Sequence, residues 1–202
     1  MNYIKEKVII GLTGKYCSGK STVEKILNKN HNFFIIDVDK IGHWALEEKK
    51  TELINKFGSK ILKYNKINRK ILGSIVFNNK KFLIYLNTLV HPIMIEKVKE
   101  LIEENKNEKI CINAALLFEL NLNIYCSTVI VIKSSILNII KRAKQRDKVS
   151  FKRIFNIINN QKIFKYIKKG KKYADICYIN NNKSIIDFKN QINYILKKRD
   201  II

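Results

Sequence analysis

The sequence predicts an α/β protein on a five-stranded parallel sheet, and three observations carry that prediction. Five short β-branched and apolar runs recur along the chain, separated by stretches of helical periodicity. The first run leads directly into a glycine- and lysine-bearing loop that is followed at once by a helix. A long interval after the second run loses the strand signal altogether, as a helical insertion would.

Val8 to Leu12 reads as a buried strand bounded by glycines. After Ser21, the residues Val23, Ile26 and Leu27 fall at i, i+3 and i+4, the apolar stripe of a helix packed on a sheet, which Asn28 to Asn32 closes. Phe33-Phe34-Ile35-Ile36 forms the second strand and runs into Asp37-Val38-Asp39, two carboxylates that share a face if the chain is extended. From about Lys40 to Lys109 the pattern is of short helices broken at Gly58, Gly73 and Asn78-Asn79. His91-Pro92 opens the last long helix of this interval, because proline is tolerated in a first turn, and Val98, Leu101 and Ile102 form its apolar face. Ile110-Cys111-Ile112, Thr128 to Ile132 and Ile176 to Ile179 complete a parallel sheet covered on both faces. Ser134 to Lys169 reads as helix, basic turn, helix, with Phe151, Ile154, Phe155 and Ile158 on the core face of the second. Ile185 to Lys198 closes the chain with Phe188, Ile192, Ile195 and Leu196 inward.

Composition narrows the class of protein. A chain of 202 residues, 46% apolar, buries a substantial core as one compact unit with excursions. Its apolar runs are too short to cross a bilayer, and the first residues lack the pattern of a secretory signal, so a cytoplasmic location is expected. Cys17, Cys111, Cys126 and Cys177 show no paired spacing and read as free thiols. The formal charge of +23 invites a nucleic-acid reading. However, the basic residues spread over the chain, apart from Lys168-Lys169-Gly170-Lys171-Lys172 and Lys197-Lys198-Arg199, and lack interleaved aromatic platforms. The abundance of lysine, isoleucine and asparagine is the mix an AT-rich coding bias produces, so no dedicated nucleic-acid binding is expected. An anionic small-molecule substrate suits the charge equally well.

The residues Gly14-Lys15-Tyr16-Cys17-Ser18-Gly19-Lys20-Ser21 match G-x-x-x-x-G-K-[ST] between a strand and a helix, the setting in which that pattern binds a nucleoside triphosphate. Backbone N–H groups and the positive end of the helix surround the phosphates, Lys20 reaches the β and γ phosphates, and the Ser21 hydroxyl can coordinate Mg²⁺. The fold expected is therefore the P-loop NTPase fold, with a phosphotransferase as the function. Asp37 and Asp39 sit where such sheets bind ligands; one can accept a proton from an attacking hydroxyl and the other can stand near the metal, although either also suits a helix cap. Arg142 and Arg146, one helical turn apart, can fold over the triphosphate or line a solvated helix face. Glu119 reads as a metal or substrate partner or a surface acid, and His91 as a phosphate ligand or a helix cap. Trp44 is core or pocket wall. Cys17, beside backbone N–H groups and Lys20, is expected to have a lowered thiol pKa.

Along nearly its whole length the chain resembles the dephospho-coenzyme A kinase family. The matching text runs from Ile10 to Gly14 and Gly19 to Val23 through Ile36-Asp37-Val38-Asp39, Phe57-Gly58, Asn68-Arg69, Val76-Phe77, His91-Pro92, Leu116-Leu117-Phe118-Glu119, Arg142 to Asp147, Gln161, Ala174-Asp175 and Asn180. The resemblance implies transfer of the ATP γ-phosphoryl group to the ribose 3′-hydroxyl of dephospho-coenzyme A, the last step of coenzyme A synthesis, with Mg²⁺. It implies a nucleotide-binding core at 1–39, 110–133 and 170–202, a helical acceptor-substrate-binding insertion at 40–109 and a helical lid at 134–169. A monomer or weak homo-oligomer is expected, although the sequence does not determine the oligomeric state. By position, Asp39 is implied as general base and Asp37 as its neighbour near the metal. Lys15 to Thr22 hold phosphate with Gly14, Arg142 and Arg146 belong to the lid, and Asn180 to the adenine pocket. Arg69 and His91, with Glu119, fall on the acceptor side. Lys15-Tyr16-Cys17 departs from the small residues usual in the loop, Ala115 replaces a usual proline, and Asn156 stands where an arginine is common, with Arg153 nearly a turn away. The rival reading is a nucleoside or nucleoside monophosphate kinase of the same architecture. A GTPase is disfavoured, since no Asn-Lys-x-Asp occurs.

Overall fold

The computed structural model describes residues 7–106, 108–147, 151, 154–155, 158, 166–167 and 173–202. Met1 to Glu6, Arg153, Asn156, Gln161 and the Lys168 to Lys172 cluster lie outside the described residues. The chain divides into two compact units, one of Met1–Asp37 with Lys106–Ile202 and the other of Val38–Asn105.

The first unit contains the sheet. Strands β1 (Val8–Gly14), β2 (Phe34–Asp37), β5 (Lys109–Asn113), β6 (Thr128–Lys133) and β7 (Asp175–Asn180) lie in the order β2-β5-β1-β6-β7. Every pairing is parallel, so β1 is central and its carboxyl end opens between those of β5 and β6. All five strands expected from the sequence are present; β1, β5 and β6 are buried runs rich in β-branched residues, whereas the edge strand β7 leaves Asp175, Tyr178 and Asn180 exposed. Helix α1 (Lys20–His31) buries Val23, Ile26 and Leu27, and the final helix, α7 (Ile185–Lys198), buries Phe188, Ile192, Ile195 and Leu196. Both join one core with Ile10, Leu12, Phe33, Ile130 and Ile132. Ser184 and Asp187 form a reciprocal cap at the start of α7. Strand β7 forms one edge of the sheet; the Gln191 side chain accepts from Asn180 N at 2.9 Å and donates to Asn180 O at 3.0 Å, and Arg199 pairs with Asp175 at 2.5 Å.

Helix α6 (Ile136–Asp147) follows β6. Its buried Ile139 and Ala143 pack with Ile154 and Ile158, but Phe151 and Phe155, expected inward, are about half exposed. The face that turns inward is the narrower i, i+4 stripe through Ile154 and Ile158.

The second unit is helical: α2 (Val38–Glu48), α3 (Lys50–Phe57), α4 (Arg69–Val76) and α5 (Lys80–Glu104). Its core is Leu53, Phe57, Ile61, Ile67, Leu72 and Val76, with Phe82 and Tyr85 edge-on to Phe57 at ring-centroid distances of 5.4 and 6.0 Å. Two features depart from the sequence reading. A small hairpin, β3 (Leu62–Lys63) with β4 (Lys66–Ile67), interrupts the helices; Tyr64 and Asn65 both take positive φ, as a tight two-residue turn requires, and Lys50 Nζ donates to Asn65 O at 2.6 Å. Helix α5 also runs straight through His91-Pro92 instead of starting there. Its start is set by Asn79, whose side chain accepts from Lys81 N and Phe82 N. Proline removes one interior hydrogen bond, yet Val90, Met94 and Val98 on either side are buried, and that burial holds the helix together. Trp44 is partly exposed, with the Lys97 ammonium over its ring. Among the described residues, no helix is long and apolar enough to cross a membrane.

His91 is half-buried, and burial lowers its pKa. The unfolded chain therefore binds a proton that the folded chain refuses, and stability is lost as pH falls below the unfolded value of about 6.5. Thermal unfolding at pH 7.5 and pH 5.5 should show a larger loss of Tm for the wild type than for His91→Gln; equal losses would place the proton uptake elsewhere.

Candidate active site

The carboxyl end of β1 delivers the chain into the Gly14–Ser21 loop. Ser18 N donates to Lys15 O at 3.0 Å, which closes a turn, and Cys17 and Gly19 adopt positive φ of 53° and 115°. Reversed backbone conformations in close succession turn N–H groups towards one concave side. Gly14 is required by space, since a Cβ there would lie 2.9 Å from Ile132 O. Helix α1 then begins with no side-chain cap and no acidic residue in its first turn, so its positive end is left for an anion. Lys20 Nζ bridges the loop to Gly14 O at 3.0 Å. The hydroxyls of Ser18 and Thr13 are buried without a hydrogen-bond partner among the described residues. Ser21 is exposed in the first turn and Thr22 is half-buried beside it.

The bulky residues of the loop have a structural role. Tyr16 and Cys17 pack against the cluster of Ile139, Ala143, Ile154 and Ile158, so they form a floor for α6 while the backbone keeps its turn. Burial also overturns the expected acidity of Cys17: it pushes the thiol up, and the neighbouring Arg146 and Lys20 only partly offset it.

Arg142 is half-buried and donates to Ser134 Oγ at 2.9 Å and to Asn181 O at 2.7 Å. These bonds tie it to the rim of the loop, so it is not a solvated helix residue. Arg146 is more exposed and makes two 2.8 Å bonds to Asp147, with its guanidinium 5.2 Å from the Tyr16 ring centroid. The Tyr16 hydroxyl donates to the same carboxylate. Arg146 first and Tyr16 second hold the Asp147 carboxyl down to about 2, whereas burial and then Asp147 push the Tyr16 phenol up.

Asp37 ends β2, and register aligns it with Asn113 on β5 and through that residue with Leu12 on β1. Two strand spacings put it roughly 10 Å along the sheet edge from β1. Asn113 is buried; its Nδ2 donates to Glu24 Oε2 at 2.8 Å, and its Oδ1 has no partner among the described residues. The sequence reading missed Asn113 and Glu24, as it missed Asn181, because no motif distinguishes them from a strand end, a helix surface and a turn. Glu119 is exposed in the turn after β5, and Asn180 is exposed at the end of β7.

Ser21 and Asp37 supply oxygen donors at this end of the sheet. Among the described residues, no three or more His, Cys, Asp or Glu side chains gather as a metal cluster. A sparse set of oxygens fits Mg²⁺, which keeps several waters and takes its remaining ligands from phosphates.

Asp39 belongs to the second unit. Asp37 and Asp39 do not share an extended face: the strand stops at Asp37 and Asp39 lies exposed in the first turn of α2, where the helix dipole favours a carboxylate. His43 follows one helical turn later and hydrogen-bonds with Arg69 at the start of α4, a pairing no spacing in the sequence announces. Asp39, His43 and Arg69 are thus exposed polar groups of this unit, whereas His91 sits half-buried in α5.

Residues 8–187 match the model of the Dephospho-CoA kinase family. A Dephospho-CoA kinase of Borreliella burgdorferi is 38% identical over 200 residues, covering 98% of this chain and 92% of the relative. The solved Dephospho-CoA kinase from Campylobacter jejuni superposes with a TM-score of 0.67 at 33% identity, covering 95% and 96% of the two chains. The structure of TT1252 from Thermus thermophilus shares the fold, with a TM-score of 0.79 at 23% identity over 96% and 98%. With its central-strand phosphate loop, its parallel sheet and agreement over almost the full length, the chain belongs to the dephospho-CoA kinase family.

Proposed function

We propose that this protein transfers the γ-phosphoryl group of ATP to dephospho-coenzyme A, forming coenzyme A in the last step of its synthesis, with the ribose 3′-hydroxyl as acceptor. The observation that carries the reading is the Gly14–Ser21 loop: an uncapped helix end, a bridging lysine and buried unsatisfied hydroxyls, in a chain of this family. The loop N–H groups and Lys20 take the β and γ phosphates, and the Lys20 amine leaves Gly14 O to do so. Ser21 and Asp37 would hold Mg²⁺, which would supply charge neutralisation on the phosphate oxygens. Asp39 accepts the proton of the acceptor hydroxyl as the phosphorus–oxygen bond forms, with Arg69, His91 and Glu119 on the acceptor side. Residues 134–169 act as the lid, from which Arg142 and Arg146 reach the triphosphate, and Asn180 borders the adenine. The helical unit Val38–Asn105 receives the acceptor. We place the activity in the cytoplasm, in keeping with four free cysteines.

ADP release by the purified protein with Mg-ATP should be stimulated by dephospho-coenzyme A and not by AMP, CMP or adenosine; no stimulation by dephospho-coenzyme A overturns the assignment. Lys20→Ala should abolish turnover while circular dichroism stays native. Asp39→Asn should lower kcat by roughly 10²–10⁴-fold, and near-normal turnover would remove its role as base. Arg142→Ala should reduce turnover more than it reduces stability, and an unchanged rate with a lowered Tm would leave the residue a purely structural tie.

A further inference from the structure

Asn181, one residue beyond β7, has its backbone fixed at three points: its N–H donates to Lys133 O at 2.8 Å, and its carbonyl accepts from Arg142 Nη2 at 2.7 Å and from Ser134 Oγ at 3.1 Å. From this anchored position its side chain reaches into the phosphate loop, where Nδ2 donates to Ser18 O at 2.8 Å. The amide also lies against Gly19 so closely that a Cβ on that residue would overlap Nδ2. Gly19 is therefore constrained twice, by its positive φ and by the amide packed on it.

The Ser18 carbonyl and the Gly19 N–H belong to one rigid peptide plane and point in opposite directions. Holding the carbonyl fixes the direction of the N–H, which is one of the groups that line a phosphate cradle of this sequence form. We propose that Asn181 is a positioning residue for the phosphoryl donor: its side-chain amide sets the orientation of the Ser18–Gly19 peptide, and its backbone carbonyl ties Arg142 to the same point. The loop and the base of α6 are thereby registered against the end of the sheet by one residue. This rests on the loop being the triphosphate site.

The replacement that isolates the effect is Asn181→Asp, which keeps size and the backbone bonds but turns a carboxylate oxygen towards the Ser18 carbonyl in place of the donor. Calorimetric titration with Mg-ATP should show Kd raised about tenfold or more, and Asn181→Ala, which removes the donor without adding a charge, should show a smaller rise of about threefold. KM for dephospho-coenzyme A should stay within about twofold in both, and the Tm of the nucleotide-free protein should change little. An ATP Kd within twofold of wild type in Asn181→Asp overturns the proposal. So does a parallel loss of affinity for both substrates with a lowered Tm, which marks a structural role only. If Asn181→Asp does not fold, Asn181→Ala decides by the same criteria. Failure of the functional assignment is distinguishable, because a wild type that binds ATP yet ignores dephospho-coenzyme A refutes that assignment and leaves the ATP titration intact.

Discussion

The unit that carries the sheet depends on an electrostatic imbalance at the start of α1. Helices α4, α5 and α7 each begin with a side chain that takes up first-turn N–H groups: Asn68, Asn79 and Ser184. Such a cap contributes about 1 kcal/mol, and α1 forgoes it, with Gly19 at the cap and no acid in the following turn. The sheet makes that omission usable. With β1 central, the uncapped helix end projects where the carboxyl ends of β5 and β6 meet it, and hydrogen-bonded neighbours on both sides hold the strand that feeds the loop.

The same economy of side chains explains what was legible in the sequence. Strands buried on two faces and helices buried on one are written in periodicity, so Val8 to Leu12, Thr128 to Ile132, Val23-Ile26-Leu27 and the Phe188 stripe read correctly. Features set by competition between local rules did not. Pro92 read as a helix start, yet the Asn79 cap and the burial of Val90, Met94 and Val98 override it. Asp37-Val38-Asp39 read as one face, yet the sheet ends within those three residues and a helix begins. The Tyr64-Asn65 turn was hidden because only one of its two residues belongs to the usual types for positive φ. Asn113, Glu24, His43 and Asn181 were invisible for a different reason: each is defined by a partner distant in sequence, and a single chain carries no record of that.

Charge in this protein is more local than its total suggests. Arg142 is held by a hydroxyl and a backbone carbonyl, which leave its charge available, whereas Arg146 is matched by a carboxylate on the adjacent residue. Two arginines one helical turn apart therefore have different electrostatic roles in the state described. The unusual Tyr16 of the loop contributes to that difference from both sides, with its ring beneath Arg146 and its hydroxyl on Asp147.

The edge formed by β7 has a consequence for how the protein lives at high concentration. A parallel sheet of short apolar strands ends in a row of backbone donors and acceptors that a foreign strand can extend. Here Gln191 occupies both groups of Asn180 at one end of the strand, and the Asp175–Arg199 pair sets fixed charges at the other. An incoming chain would have to displace an amide clamp and bury an ion pair before it gained a ladder. The final helix thus obstructs strand addition at the β7 edge as well as closing the core of the sheet.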